Sequence, residues 1–399
     1  MDWELEQKIS KLFTPAQPID SKALFAGRID QIRKVFDTIG QPGQHAVVYG
    51  ERGVGKTSFV NVIPELISLT DDSIIAPKLN CARGDSFSTI WKKIFSRIST
   101  RQTKRQPGFN APDLSSYKRL SELLPPDANP TDVVELLETV PGAIIILDEF
   151  DRLSSKKTDS QFADCIKALS DYSIPITVVF VGVAENIGEL IQEHASVERC
   201  IAQIHMPRMS KEELAEVVKT RLEGLGMKEE RGVSESIASL SQGFPNFTHL
   251  LGRHAARSAV NKNRRKIQHL DLEIAIAEAV EQMQESIRDD YRDAVQSVRP
   301  DNLYQQVLLA CALAEPDDRG YFSTVDVRQP MRDIVKRKIE IPTFAQHLKR
   351  FCESGMLERK GRRRSYLYRF SNPLMRPFVY LDGHRKRLVP RKYLKSRTY

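Results

Sequence analysis

The chain predicts an α/β fold, a mostly parallel sheet with helices on both faces, extended by an all-helical unit and a smaller C-terminal unit. Three observations carry this. Apolar runs at 45–49, 143–147, 176–183 and 201–206 read as buried strands with helical patterns between them. The first run leads into Gly50-Glu51-Arg52-Gly53-Val54-Gly55-Lys56-Thr57-Ser58, a complete G-x-x-x-x-G-K-T loop between a strand and a helix. The second ends in Asp148-Glu149, at the carboxyl edge where such sheets place their ligands.

The loop's glycines let successive backbone N–H groups turn inward around a triphosphate, and the helix that follows points its positive end at the same anion. Lys56 is placed to bridge the β- and γ-phosphates, and Thr57 to give its hydroxyl to Mg²⁺, a cation that prefers hard oxygen ligands and keeps several waters. Asp148 would hold the Mg²⁺ shell. Glu149, one residue on, would orient and activate the attacking water. A carboxylate in that second position points to hydrolysis of ATP rather than binding alone.

Residues 1–43 form an approach segment with an amphipathic helix at 29–39, after which Gln41-Pro42-Gly43 turns the chain into the first strand. Residues 44–209 are the core. In it, 73–79 reads as a second strand, which Pro77 assigns to a sheet edge, and 101–131, polar and with five prolines, reads as an irregular excursion. A helix at 158–170 precedes the strand at 176–183. From 210 to 290 the pattern is an all-α lid opened by the capping box Ser210-Lys211-Glu212-Glu213. Residues 300–383 give helices at 302–313, 324–336 and 342–354, then alternating runs around Gly361-Arg362-Arg363-Arg364, the order of a winged helix-turn-helix with a basic tip. A basic tail, 384–399, follows.

The net charge of +8 is unevenly spread. Residues 342–399 hold 16 Lys and Arg against 3 Asp and Glu, a local excess of +13, so the rest of the chain is mildly acidic at −5. That is the footprint of an appendage for nucleic acid. Thr343, Gln346, His347, Lys349 and Arg350 fall along the third helix where a groove could be reached, and Lys360, Arg362, Arg363 and Arg364 are placed for phosphates or the minor groove of double-stranded DNA. Five scattered cysteines form no C-x-x-C pair and fit reduced, buried thiols, and the eight histidines have no ligand spacing. No apolar stretch approaches the roughly twenty residues of a membrane span, and the acidic N-terminus lacks a signal-peptide core, so the expected location is cytoplasmic.

With strand, phosphate loop, Asp-Glu strand, lid and winged helix in that order, residues 22–382 resemble the AAA+ and STAND branch of P-loop ATPases, and within it the origin-recognition (initiator-type) ATPases and their bacterial relatives. Leu147-Asp148-Glu149-Phe150-Asp151-Arg152-Leu153 looks like the initiator Asp-Glu-Phe-Asp signature. The resemblance implies that Phe25-Ala26-Gly27-Arg28 forms an adenine-side box and that Pro245, in Gly243-Phe244-Pro245, packs near the base. It implies a polar sensor at Asn186, and a trans-acting arginine finger at Arg199, with Arg208 second. The lid arginine of initiator ATPases is not evident: Thr248 and His249 stand in its place and Arg253 comes a turn later. The expected protein is a Mg²⁺-dependent ATPase switch, a homo-oligomer that binds DNA through its winged helix. The alternative is an ATP-gated regulatory adaptor for transposition, conjugation or phage defence, whose winged helix docks on a protein effector. A small-molecule kinase is disfavoured, because such enzymes carry arginine-rich substrate lids.

Overall fold

The computed structural model describes residues 3–18, 27–71, 73–104, 114–183, 195–283, 285–296, 302–317, 319–362 and 365–394. Among the described residues, seven strands lie between 45 and 205: β1 (His45–Tyr49), β2 (Lys78–Asn80), β3 (Ser99–Lys104), β4 (Leu114–Arg119), β5 (Ala143–Asp148), β6 (Ile176–Gly182) and β7 (Ile201–His205). Five of them make one sheet, in the order β2-β5-β6-β1-β7, and every pair in it is parallel. Both faces are covered, which is why β5 and β6 are buried from end to end and read as unbroken apolar runs. Alternate side chains separate the two cores. Val47, Ile145, Leu147 and Phe180 pack with Phe87, Trp91 and Phe162 on one face. Val48, Ile146, Val179 and Val181 face a second apolar core that continues through the lid into the C-terminal unit.

Two local expectations are corrected. The strand expected at 73–79 is only β2, at the sheet edge, with a single bridge from Ile75 to Ala143; Pro77 has no N–H to extend the ladder. The excursion at 101–131 contains ordered elements. β3 pairs antiparallel with β4, and a helix, Pro130–Leu137, starts inside it, capped by Asn129.

The lid comprises the helices Lys211–Gly224, Val233–Leu240, Pro245–Asn261, His269–Gln282 and Glu285–Val295, with β8 (Lys228–Glu229) paired to β9 (Lys266–Ile267). Its capping box closes as the sequence implies: Glu213 N donates to Ser210 Oγ (3.1 Å) and Ser210 N to Glu213 Oε2 (2.8 Å). The N-terminal helix Trp3–Leu12 packs on Pro245–Asn261 through Leu5 and Ile9, joined by Phe13 just past its end. Phe13 takes the space a side chain at 252 would need, since a Cβ there would lie 2.3 Å from its ring. Burying that phenyl ring is worth about 2–3 kcal/mol.

The C-terminal unit runs helix Tyr304–Leu313, β10 (Phe322–Ser323), helices Thr324–Val335 and Ile341–Glu353, β11 (Leu357–Lys360) and β12 (Leu367–Phe370). The three strands form an antiparallel sheet in the order β10-β12-β11. The helix Met375–Arg385 returns through the core. Part of the expected tail is therefore engaged: Arg385 and Lys386 pair with Asp382, and Lys392 pairs with Asp333.

Candidate nucleotide site and C-terminal basic face

The register sets the site. β1 lies between β6 and β7, with Tyr49 opposite Gly182 and His205, so the loop leaving β1 opens beside the end of β6. Gly50 passes so close to the β7 exit that a Cβ would lie 2.3 Å from Met206 O. Gly55, with φ 97°, takes the left-handed turn that opens the helix Lys56–Ser68. Lys56 Nζ donates to Gly50 O and Glu51 O, both at 2.8 Å, holding the loop curled in the shape that receives phosphate. Burial pushes this amine down to about 8, against the pull of Asp151, Asp148 and Glu51.

Asp148 ends β5 and is buried. Its Oδ1 accepts from Glu149 N (2.9 Å), and its Oδ2 forms an ion pair with Lys78 Nζ at 2.8 Å. Glu149 takes a left-handed conformation, φ 55°, to start the short helical turn Phe150–Arg152, and that turn returns Arg152 to it: Arg152 Nη1 donates to Glu149 Oε2 at 2.7 Å. Asp151 Oδ1 accepts from Val183 N (3.2 Å), tying this turn to the end of β6. Among the described residues no three His, Cys, Asp or Glu side chains cluster to hold a metal alone. Thr57 and Asp148 share one cavity wall and offer a hydroxyl and a carboxylate, both hard oxygen donors. That donor set suits Mg²⁺ arriving with phosphates, whose remaining ligands are phosphate oxygens and water.

Most of the phosphate loop, the polar residues of the turn after β5 (Asp148, Glu149, Asp151 and Arg152) and the end of β6 line a cavity of about 620 Å³. Pro245, Asn246 and His249 of the lid close one side, with Pro245 Cγ 3.7 Å from where a Cβ on Gly55 would stand. Residues 14–18 close another, which sequence reasoning did not foresee. They are pinned there by Thr14 N donating to His249 Nδ1 at 3.0 Å. Burial lowers His249 to about 3, so the ring is neutral and carries its proton on Nε2.

Other expected residues lie elsewhere. Arg28 is buried behind the loop, with Nη2 donating to Val54 O (3.0 Å) and Pro207 O (2.7 Å), and is not in the cavity wall. Arg199 precedes β7 near the start of β1, at the opposite sheet end from the phosphate loop, and pairs with Asp171 at 2.7 Å. Arg208 pairs with Glu51 of its own chain, Nε to Oε2 at 2.6 Å and Nη2 to Oε1 at 3.0 Å, with its guanidinium over Phe244. Arg253 faces Gln282. Asn186 and the residues Phe25 and Ala26 lie outside the described residues.

On the C-terminal unit, Thr343, Gln346, Lys349 and Arg350 are exposed on the helix Ile341–Glu353. Several cations are already engaged. Arg350 lies over Tyr304, bonding its hydroxyl and Gln296 O; Lys349 pairs with Glu353; Lys360 Nζ sits 3.6 Å from the Tyr321 ring centre. Arg362 is exposed at the tip, while Arg363 and Arg364 lie outside the described residues.

A parallel sheet that gathers a phosphate loop and an Asp-Glu pair at one edge, with a helical lid over them, defines a P-loop ATPase of the AAA+/STAND class. The family model described as Novel STAND NTPase 1 matches residues 16–357, and the chain belongs to that family. The ORC1-type DNA replication protein 2 of Thermoplasma acidophilum is 24% identical over 253 residues, which are 60% of this chain and 58% of that protein. The chain thus spans less than two thirds of the length of this curated relative. Among solved structures, the Walker-type ATPase paby2304 of Pyrococcus abyssi shares the fold with a TM-score of 0.55 at 14% identity, over 92% of this chain and 99% of that one. The ORC2 protein of Aeropyrum pernix, solved as ADPNP and ADP complexes, aligns at a TM-score of 0.49 and 14% identity, over 96% and 97% of the two chains. Among the described residues no helix is long and apolar enough to cross a membrane.

Proposed function

We propose that the protein is a Mg²⁺-dependent ATPase switch, working as a homo-oligomer, whose nucleotide state sets the lid and whose C-terminal unit, a winged helix, binds double-stranded DNA. The observation that carries this is the single cavity in which Lys56, Thr57, Asp148 and Glu149 meet the lid residues Pro245 and His249. When bound, Mg²⁺ would neutralise charge on the phosphates, held on the Thr57 and Asp148 side. Lys56 would leave the carbonyls of Gly50 and Glu51 for the phosphate oxygens, a charge-assisted exchange. Glu149 would align a water whose oxygen bonds to the γ-phosphorus as the bond to the β,γ-bridging oxygen breaks. The electron pair leaves with ADP, and the water's proton passes to the carboxylate. Arg199, at the sheet end remote from its own loop, is the residue offered to a neighbouring subunit.

DNA binding draws support from the +13 excess over residues 342–399 and from the exposed face of the helix Ile341–Glu353. It is tested by titrating a labelled duplex at several salt concentrations with the wild-type protein and with Arg362, Arg363 and Arg364 replaced together by alanine. The variant should bind many sequences more weakly, with a salt slope reduced by up to about three units. Equal affinity and equal slope would hand the C-terminal unit to the adaptor reading. Hydrolysis per subunit that stays flat as the wild-type concentration rises would remove the oligomer.

A further inference from the structure

Glu149 is not free in this structure. The side chain assigned to the attacking water is held by Arg152, the next residue but two, across a short turn that Asp151 anchors to the end of β6. Both partners line the nucleotide cavity and both are about half exposed, at 55% and 47%. Exposed ion pairs of this kind contribute little to stability and are readily exchanged for a better partner. A γ-phosphate is such a partner, since it carries more charge than one carboxylate and accepts from a guanidinium fork through two oxygens.

Among the described residues, the cavity wall offers no other cation for that end of the nucleotide. Among the described residues its wall carries three cationic side chains, Arg52, Lys56 and Arg152. Arg52 is exposed on the outer turn of the loop, four residues before Lys56. The lid contributes His249, which burial keeps neutral, while Arg253 faces Gln282 and Arg208 is bound to Glu51. Among the described cations of the wall, Arg152 is the one paired with the carboxylate that marks the site of attack.

We propose that Arg152 is a γ-phosphate-responsive latch: without a γ-phosphate it holds Glu149 away from the water, and with one it transfers to the phosphate, releasing Glu149 and adding a positive charge where the transition state needs it. This rests on the ATPase reading above. It assigns to the core strand's own signature the task that initiator-type ATPases give to a lid arginine.

The test compares wild type, Arg152→Ala and Arg152→Lys by calorimetric affinity for ADP and for the non-hydrolysable analogue ADPNP, both with Mg²⁺, and by turnover of ATP. The latch requires Arg152→Ala to weaken ADPNP about tenfold or more while changing ADP less than about twofold, and to lower kcat at least about tenfold. Arg152→Lys should recover part of the ADPNP affinity, because it keeps the charge without the fork. An unchanged ADPNP-to-ADP ratio overturns the proposal whether kcat rises, as a pure restraint on Glu149 would give, or stays level, as a passive surface pair would give. The pair is half exposed, so its loss leaves the fold intact, and a thermal melt of each variant checks this. If the wild-type protein neither binds ADPNP nor turns over ATP, the ATPase reading itself has failed, a result distinct from failure of the latch.

Discussion

Glu51 and Arg208 join three parts of the chain that lie far apart in sequence, and breaking them should show a specific asymmetry. Arg208 sits at the exit of the sheet, its side chain packed where a Cβ on Gly243 would be, while Gly320 of the C-terminal unit lies against Glu51 Oε1. The side chains are only 19% and 12% exposed, so solvent screens them little. At about 4 Å between charge centres and an effective dielectric of about 20, their attraction is about 4 kcal/mol. Removing one partner strands the other, at a cost of about 3–5 kcal/mol. Arg376 decides which end of that range applies. It is buried nearby, destabilised as a cation first by its own burial and then by Arg208, and supported by Glu51. Arg208→Gln leaves Glu51 with Arg376 as a second cation, so its cost should lie near 3 kcal/mol. Glu51→Gln leaves two guanidinium groups facing each other, and its cost should lie near 5 kcal/mol. The double variant removes attraction and repulsion together and should cost about 3 kcal/mol, well short of the sum. Urea unfolding of the four proteins without nucleotide, followed by circular dichroism and tryptophan fluorescence, measures the cycle. Additivity within about 0.5 kcal/mol, or an Arg208→Gln cost that exceeds that of Glu51→Gln, would refute the junction.

Two further outcomes follow from the site and the core. Lys56→Ala should abolish ATP binding while the fold survives, whereas Glu149→Gln should still bind ATP and hydrolyse it at least about a hundredfold more slowly; binding assays and single-turnover rates separate the two. Acid should destabilise the protein before its carboxylates titrate. Burial lowers His45 to about 4 and His249 to about 3, so between pH 6.5 and those values the unfolded chain binds protons that the folded chain does not, and stability falls with pH. Each contributes about 2 kcal/mol of loss between pH 7 and pH 5. Replacing both by glutamine should flatten that limb in urea midpoints; an unchanged pH dependence would mean neither ring is buried neutral.

The phosphate loop, the Asp-Glu strand and the capped first lid helix were legible because each is a local pattern whose chemistry fixes its own geometry. The loop needs its glycines, and the acid pair follows an apolar run with nowhere to go but the sheet. What escaped reading depends on packing across distance. Arg28 ends the expected adenine-side box, yet its guanidinium donates to the carbonyls of Val54 and Pro207, contacts made only once the loop has folded over it. The N-terminal segment carries Leu5, Ile9 and Phe13 at helical spacing, a signal present in the chain, but only the lid helix and Gly252 show what that face covers. β3 and β4 have few apolar side chains to announce them; their ladder is visible only as pairing between distant segments.

The basic residues sharpen that lesson, because counting charge measures a field while function needs charges that are free to act. The excess of +13 over residues 342–399 fixes the sign and rough strength of the field whatever each side chain does. Within it, Arg350 is committed to Tyr304 and Gln296, Lys349 to Glu353, Lys386 to Asp382 and Lys392 to Asp333. A cation committed to its own chain still attracts phosphate at a Debye length's distance, but it can reach a base edge only by giving up its partner. The cost of that exchange is the same for every sequence, so it lowers affinity without adding discrimination. On this arithmetic the C-terminal unit, if it meets DNA, meets it first as a polyanion. Among the described residues, Thr343 and Gln346 are the exposed uncharged polar side chains on the helix Ile341–Glu353, and they can add preference among sequences without giving up an ion pair.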